Sequence, residues 1–211
     1  AHNLQPLLML RILLATLISL CLSSCQLLEN KVNEVTIENR YSLELPMTLT
    51  ATNDLNEEAS LQYRHILNTY YLLVIDEPKE DLGTMLVENQ ITDYYTNDFE
   101  GYSDIIFTNL EAALEDMRPS EVVDTKINGL SAKLMSFTGT IENLPLFYDM
   151  VLIEGENDYF QILTWTLESE RGKCEENMHK ILLSFKEFEG FESIAPVENA
   201  KPVPAKSGSK R

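Results

Sequence analysis

Residues 144–167, LPLFYDMVLIEGENDYFQILTWTL, decide the fold because they contain two strand-forming runs joined by a turn. Each run is rich in aromatic, β-branched and other apolar residues, and Gly155-Glu156-Asn157 between them has turn chemistry. We therefore predict a hairpin of two strands, at 144–154 and 158–167. Residues 150–153 are apolar at consecutive positions, which indicates a strand that is covered on both faces.

A second hairpin is predicted immediately upstream, where Asn128-Gly129 gives the strongest short hairpin signal in the chain. It joins predicted strands at 121–127 and 130–140. Earlier in the chain, the alternation of apolar and polar residues predicts four more strands, and Pro46 ends the second of them. These four strands cover residues 34–39, 41–46, 59–65 and 69–76, and residues 70–75 are again apolar on both faces.

Two segments change to the helical period of about 3.6 residues. Between Ile91 and Met117 apolar residues recur at helical spacing and Gly101 interrupts them, which indicates one broken helix or two short ones ending at Pro119. The last helix is expected over residues 173–188, with Gly190 just past its end. Its apolar stripe consists of Cys174, Met178, Ile181, Leu182 and Phe185.

The order of these elements, four strands, a helix, four strands and a helix, predicts an α+β fold. We expect an antiparallel β-sheet of about six to eight strands with two main helices packed on it. The strands that are apolar on both faces favour an α/β/α sandwich over two helices on one face. Residues 34–190 are expected to form a single globular domain, and residues 191–211 a flexible basic tail.

The first 24 residues indicate a secretion signal. Arg11 is followed by 11 mainly apolar residues at 12–22, about 16 Å of helix, which is half the thickness of a bilayer core. The next residues resemble a lipobox, read here as Leu22-Ser23-Ser24-Cys25. This resemblance implies cleavage between Ser24 and Cys25 and a lipid on the Cys25 thiol, followed by a spacer to residue 33. The alternatives are an ordinary signal peptide with an incidental cysteine, or a buried helix.

The charge is strongly acidic. The chain has 16 Lys and Arg against 34 Asp and Glu, a net charge of −18 at pH 7. Residues 26–200 hold 11 of the bases and all of the acids, whereas residues 201–211 have four bases and no acid. Such a body is repelled by nucleic acid and by anionic headgroups, so we expect membrane attachment through the lipid on Cys25. The basic tail is left with three alternatives: disorder, contact with anionic lipid, or folding back on the body.

No motif for catalysis, a cofactor or a metal is present. The glycines are isolated, so neither a dinucleotide-binding nor a phosphate-binding loop exists, and no GxSxG, HExxH or CxxC pattern occurs. With Cys21 removed and Cys25 alkylated, Cys174 cannot form an intramolecular disulfide, and it is expected to be buried. His65 lies in a strand, and His179 is interpreted as a surface histidine. We expect no enzyme activity, no cofactor and no metal site.

Carboxylates and aromatic residues are too common to mark a site by themselves. Two acidic clusters, at 154–158 and 76–81, follow strands and are interpreted as solvated turns rather than calcium sites, because no EF-hand register fits them. The aromatic residues lie mostly on strands with half pointing to each side, so they are interpreted as core rather than as the lining of a groove. They are Tyr70, Tyr71, Tyr94, Tyr95, Phe147, Tyr148, Tyr159, Phe160 and Trp165.

Four short stretches of the chain resemble the PsbP-like α/β/α sandwich superfamily, which includes photosystem II subunits and many bacterial lipoproteins. They are residues 41–46, the Asn128-Gly129 hairpin, residues 159–161 and residues 181–185. The resemblance covers most of residues 34–188. It implies a sandwich fold and a binding or assembly role, and it brings no shared catalytic motif.

These features predict a membrane-anchored, extracytoplasmic lipoprotein of the bacterial cell envelope that binds an envelope protein partner without catalysis. The alternative is a carrier or sensor of a small apolar ligand held between sheet and helix. A hydrolase is a third hypothesis, which an unexpected Ser/His or metal cluster would revive. If the cell has two membranes, Gln26 after the lipidated cysteine resembles the signal for the outer membrane, facing the periplasm.

Overall fold

The computed structural model describes residues 31–188, except Asn39 and Asn68. The expected α+β fold is confirmed, with three helices packed on an eight-stranded antiparallel sheet. The signal segment, Cys25, Gly190 and the basic tail lie outside the described residues.

In chain order the strands are β1 Val32–Ile37, β2 Tyr41–Pro46, β3 Leu49–Ala51, β4 Leu61–His65, β5 Tyr70–Pro78, β6 Glu115–Pro119, β7 Val123–Ile127, β8 Leu130–Ile141, β9 Leu144–Glu154, β10 Asp158–Leu167 and β11 Lys186–Glu187. The helices are α1 Lys79–Glu88, α2 Phe99–Ala113 and α3 Arg171–Leu183.

The predicted β9–β10 hairpin lies at the centre of the main sheet. The strand order is β3-β4-β5-β10-β9-β8-β6, and β7 also pairs with β8. The hairpin register runs without interruption from Tyr159 opposite Glu154 to Leu167 opposite Leu146. Because side chains alternate along a strand, each central strand contributes to both faces of the sheet.

The face of the sheet under α3 is covered over the central strands β5, β10 and β9. The predicted stripe of α3 is buried against it, including Cys174, although the helix ends at Leu183 and not at residue 188. The small sheet β1-β2-β11 packs on the same face beside α3. Its Tyr41 ring lies 5.5 Å from both Phe160 and Phe185, centroid to centroid, and all three rings are at most 1% exposed.

The opposite face is covered by α1 and α2. Leu82 and Leu86 of α1 and Tyr102 and Ile105 of α2 pack with Tyr159 of β10. The rest of α2 packs over apolar side chains of β8 and β9. Helices therefore lie on both faces, as expected for an α/β/α sandwich.

The prediction of helix from Ile91 to Pro119 is wrong at both ends. Residues 91–98 form turns, and α2 begins only after Asp98, whose Oδ1 accepts a hydrogen bond from Gly101 N–H at 3.0 Å. Gly101 thus lies in the first turn and does not interrupt the helix. The backbone becomes extended at Leu114, and β6 pairs with β8, since the edge of the sheet offers backbone partners there.

Helix α1 was not predicted, because its acidic first turn was interpreted as part of a loop. Glu80 and Asp81 stand where the helix dipole favours negative charge, and Leu82 and Leu86 give one short buried stripe. Strands β3 and β11, which have three and two residues, were also missed.

Candidate functional site

The end of the sheet at the β8–β9 turn lies just beyond the last turn of α2. Ile141 and Leu144 pair across this turn and are 44% and 54% exposed, and Leu167 at the end of β10 is 43% exposed. Leu144 lies four residues before Tyr148 on the same strand, and Tyr148 packs under α2. Cross-strand partners and residues two or four apart share a face, so these three side chains lie on the α1/α2 face.

A stacked aromatic pair borders them. Tyr71 and Trp165 are register partners on β5 and β10. Their ring centroids lie 5.2 Å apart, and the ring planes are inclined by 16°. Both side chains are half-buried. We call Tyr71, Trp165, Leu167, Leu144 and Ile141 the open-face patch.

The positions of the helices explain why this patch stays open. Helix α1 starts directly after Pro78, which pairs with Asp158 at the opposite end of the sheet. Tyr102 of α2 stacks on Tyr159 at that same end, at 4.3 Å between centroids. Trp165 lies six residues further along β10, roughly 20 Å away. Helix α1 therefore covers only that end of the face, and α2 crosses from there to the β8 edge and leaves the outer ends of β9 and β10 to the patch.

The helical layer beside the patch is acidic. Residues 80–117 contain ten Asp and Glu and no Lys or Arg, and all ten carboxylates are exposed. In the described part of the chain, Glu100 is the member of this set with a cationic nitrogen within 4.0 Å, that of Lys133 at 3.0 Å. We call residues 80–117 the acidic layer.

A polar network fastens α2 to the sheet. The Tyr102 hydroxyl donates a hydrogen bond to Glu77 Oε2 at 2.6 Å, and the Gln161 side-chain amide donates to the same oxygen at 2.8 Å. Burial raises the pKa of Tyr102 far above its ordinary value, and the neighbouring Glu77 carboxylate raises it further. The phenol therefore stays protonated, as a structural donor requires.

The α3 face contains a buried carboxylate that the sequence interpretation missed. Asp149, 1% exposed, lies 2.9 Å from both His179 Nδ1 and Ser136 Oγ through its two oxygens. Burial raises the pKa of Asp149, although its hydrogen bonds to His179 and Ser136 oppose the shift. The side chain of His179 is 42% exposed, as expected of a surface histidine, and it also ties α3 to β9.

This Ser/His/Asp group does not have the geometry of a nucleophile. An activated serine must hydrogen-bond to the histidine that takes its proton. Here Ser136 and His179 both bind the carboxylate, so the carboxylate lies between them. The arrangement clamps β8, β9 and α3 together and does not revive the hydrolase hypothesis.

The side chains of the acidic turns make more contacts within the domain than solvated turns would. Asp76 forms an ion pair with Arg40, Glu77 accepts from Tyr102, and Asp158 is buried. Lys79 Nζ lies 3.3 Å from Glu154. Within residues 31–188, apart from the two undescribed positions, no three His, Cys, Asp or Glu side chains are arranged to hold a metal ion.

A surface cleft of about 440 Å³ lies between β2 and α3. Pro46 and Leu183 line it together with Lys180, Lys186 and Glu44, so its wall mixes apolar and charged side chains. The interior between the main sheet and α3 is filled by the Tyr41, Phe160 and Phe185 rings. These features do not favour the apolar-ligand alternative.

No protein-family model matches the sequence, and no curated protein matches it. Among solved structures, the chain is similar to cyanobacterial PsbP (CyanoP) from Synechocystis sp. PCC 6803, with 7% identity and a TM-score of 0.48 over 74% of this chain and 92% of that one. It is similar to LpqN, involved in cell envelope biogenesis of Mycobacterium tuberculosis, with 11% identity and a TM-score of 0.44 over 74% and 89%. A protein of unknown function from Pseudomonas aeruginosa gives 13% identity and 0.42 over 74% and 96%.

These similarities concern the fold, an antiparallel sheet with helices on both faces. Among the described helices, none is both long and apolar enough to cross a bilayer. Ser24 and Cys25, the predicted cleavage and lipidation residues, lie outside the described residues, so both assignments stay predictions.

Proposed function

We propose that this chain is a lipid-anchored, non-catalytic binding module of the bacterial cell envelope that docks a protein partner on the open-face patch. The observation that carries the proposal is the open-face patch itself. Three large aliphatic side chains are more than 40% exposed beside a half-buried Tyr/Trp pair, all on one end of one sheet face.

Contiguous apolar surface of this kind is a feature of interaction sites. Tyr and Trp are enriched among residues that dominate binding energy, because they bury a large area and lose little side-chain entropy. The Tyr71–Trp165 pair is already stacked in the free domain, and the hairpin below it is paired without interruption. A partner that covers the patch therefore gains apolar burial with little reorganisation.

The anchor is supported by the lipobox resemblance at Leu22-Ser23-Ser24-Cys25. Two or three acyl chains hold a soluble domain on a membrane where one chain gives only reversible binding. The expected location is the outside of the cytoplasmic membrane or, in a cell with two membranes, the outer membrane facing the periplasm.

Cys25→Ser tests the anchor. The variant should lose metabolic labelling by a fatty-acid analogue and move from the membrane fraction to the soluble fraction. Ser24→Ala, which keeps a small residue before the cysteine, is the matched control and should stay in the membrane fraction. Unchanged acyl labelling of Cys25→Ser would contradict the lipoprotein assignment.

Site-specific photo-crosslinking in the native cell tests the docking. A photoreactive residue replaces Leu167 in one full-length protein and Leu183 in another; the two leucines are 43% and 45% exposed on opposite faces. We expect a discrete protein adduct from position 167 and none from position 183. Adducts of equal yield from both positions, or none from position 167, would reject the open-face patch as the docking site.

A further inference from the structure

The charge of the α1/α2 face indicates the charge that a partner surface should have. The ten carboxylates of the acidic layer have no base among them in sequence, and nine have no cationic partner within the described residues. The three bases of α3 are instead each paired on their own face: Arg171 with Glu175, Lys173 with Glu170, and Lys180 with Glu176, at 2.6 to 2.8 Å. The acids of α3 thus have bases beside them, whereas the acidic layer, on the face that contains the open-face patch, has almost none.

Acidic residues also follow the rim of the patch. Glu142 is next to Ile141 in the β8–β9 turn, and Glu115, itself a member of the acidic layer, pairs with Thr140 on the adjacent edge. A surface seated on the patch therefore meets carboxylates at the β8–β9 turn and the acidic layer beside it, and such charges act over a Debye length of about 8 Å at physiological salt.

We propose that the partner is a basic protein surface, with an apolar centre for the open-face patch and Lys or Arg side chains facing the acidic layer. The inference rests on the proposed function and adds the chemistry of the partner. An anionic lipid surface is repelled by the same carboxylates, and a second copy of this chain would place two acidic layers together. A basic partner is attracted by them and associates faster than an uncharged one.

The test reverses charge in the acidic layer without touching the patch. The triple variant E88K/D104K/E111K changes three exposed carboxylates that have no ion pair within the described residues, and it keeps the helix-capping Asp98. The control triple E57K/E58K/E121K makes the same change in net charge at exposed positions away from the two helices. Each triple carries the photoreactive residue at position 167 in the full-length, lipidated protein.

We expect the position-167 adduct to fall by about tenfold in the acidic-layer triple and by less than about twofold in the control triple. The crosslinked partner peptide, read by mass spectrometry, should come from a surface rich in Lys and Arg. Matching thermal unfolding curves of the two triples show that the domain remains folded.

The possible failures are distinct. An adduct that persists in the acidic-layer triple, or falls equally in both triples, overturns the basic partner but leaves the docking function standing. A crosslinked peptide from residues 201–211 identifies the occupant as the chain's own tail and overturns the inference. A lipid adduct, or no adduct in the parent protein, overturns both proposals.

Discussion

The two faces of the central sheet are made by the same strands but are covered to different extents. On the α3 face, Tyr41, Phe160 and Phe185 are closed over by a helix and a second small sheet, and their rings are almost fully buried. On the α1/α2 face the covering ends part of the way along β10, and Leu167 and Leu144 are exposed. The first face has the structure of a core, and the second combines a core with a surface suited to docking.

This difference indicates which residues should affect stability and which should affect binding. Phe160 and Trp165 are both aromatic residues of β10, five positions apart and on opposite faces. The first lies inside a closed cluster of rings, whereas the second stacks on Tyr71, packs at the margin of the cluster under α2 and is partly open to solvent. Substitutions at these two positions should therefore affect different properties.

The largest expected effect is that of Phe160→Ala. Loss of a fully buried ring costs about 3–5 kcal/mol in the free energy of unfolding, whereas Trp165→Ala should cost about 1–2 kcal/mol because its ring is half-buried. Urea unfolding monitored by circular dichroism measures both changes in the free energy of unfolding. Tryptophan fluorescence is not suitable, because Trp165 is the only tryptophan in the sequence. Trp165→Ala should also remove the position-167 adduct. Equal destabilisation by the two substitutions would show that the α1/α2 face is as closed as the other.

The strands were the part of this fold that sequence could predict best. The β9–β10 hairpin and the Asn128-Gly129 turn follow from alternation and turn chemistry, which are local. The helix ends were predicted poorly because they depend on distant contacts. Helical spacing continues past Leu114, yet the backbone there becomes extended to pair with β8, and no local signal outweighs the helical pattern.

The candidate site was largely hidden from sequence reasoning. Alternation places Trp165 and Tyr71 on one face of the sheet, but it does not say how far a helix extends over that face, so both were assigned to the core. The buried Asp149 did leave a signal, since it is the one acid among apolar residues in 146–153. Its position on the same face as Phe147 and Val151 indicates burial, but its partner His179 is known only from the packing of α3.

A medium effect is expected at the start of the covering layer. A Cβ on Gly101 would lie 1.9 Å from the carbonyl oxygen of Thr96, which is backbone and cannot turn away. Gly101→Ala should therefore cost about 2 kcal/mol and speed amide hydrogen exchange in α1 and α2 more than in α3. Gly172→Ala is the matched control, because its Cβ would meet nothing within 4 Å and α3 should be unchanged or slightly more stable. Uniformly faster exchange on both faces would show that the two faces unfold as one unit.

The smallest effect, and the one with a pH signature, concerns Asp149 on the closed face. Its pKa is raised by burial, so the folded protein holds this proton more tightly than the unfolded chain does. The contribution of Asp149 to stability is therefore present at low pH and is lost as pH rises from about 4 through its raised pKa. Asp149→Asn removes this charge and should gain about 1 kcal/mol at pH 7, with the gain vanishing near pH 4.

The control for Asp149 is Ser136→Ala, which keeps the carboxylate and removes a hydrogen bond that favours its charged form. This variant should be less stable than the parent at pH 7, and its stability should fall more steeply between pH 4 and 7. Thermal unfolding across that range measures all three proteins. Because Glu175 and Arg171 also act on this carboxylate, the comparison uses differences between variants at each pH. If stability changed with pH in the same way for the parent and for Asp149→Asn, the buried charge of Asp149 would not destabilise the α3 face. The two faces would then not differ in this respect.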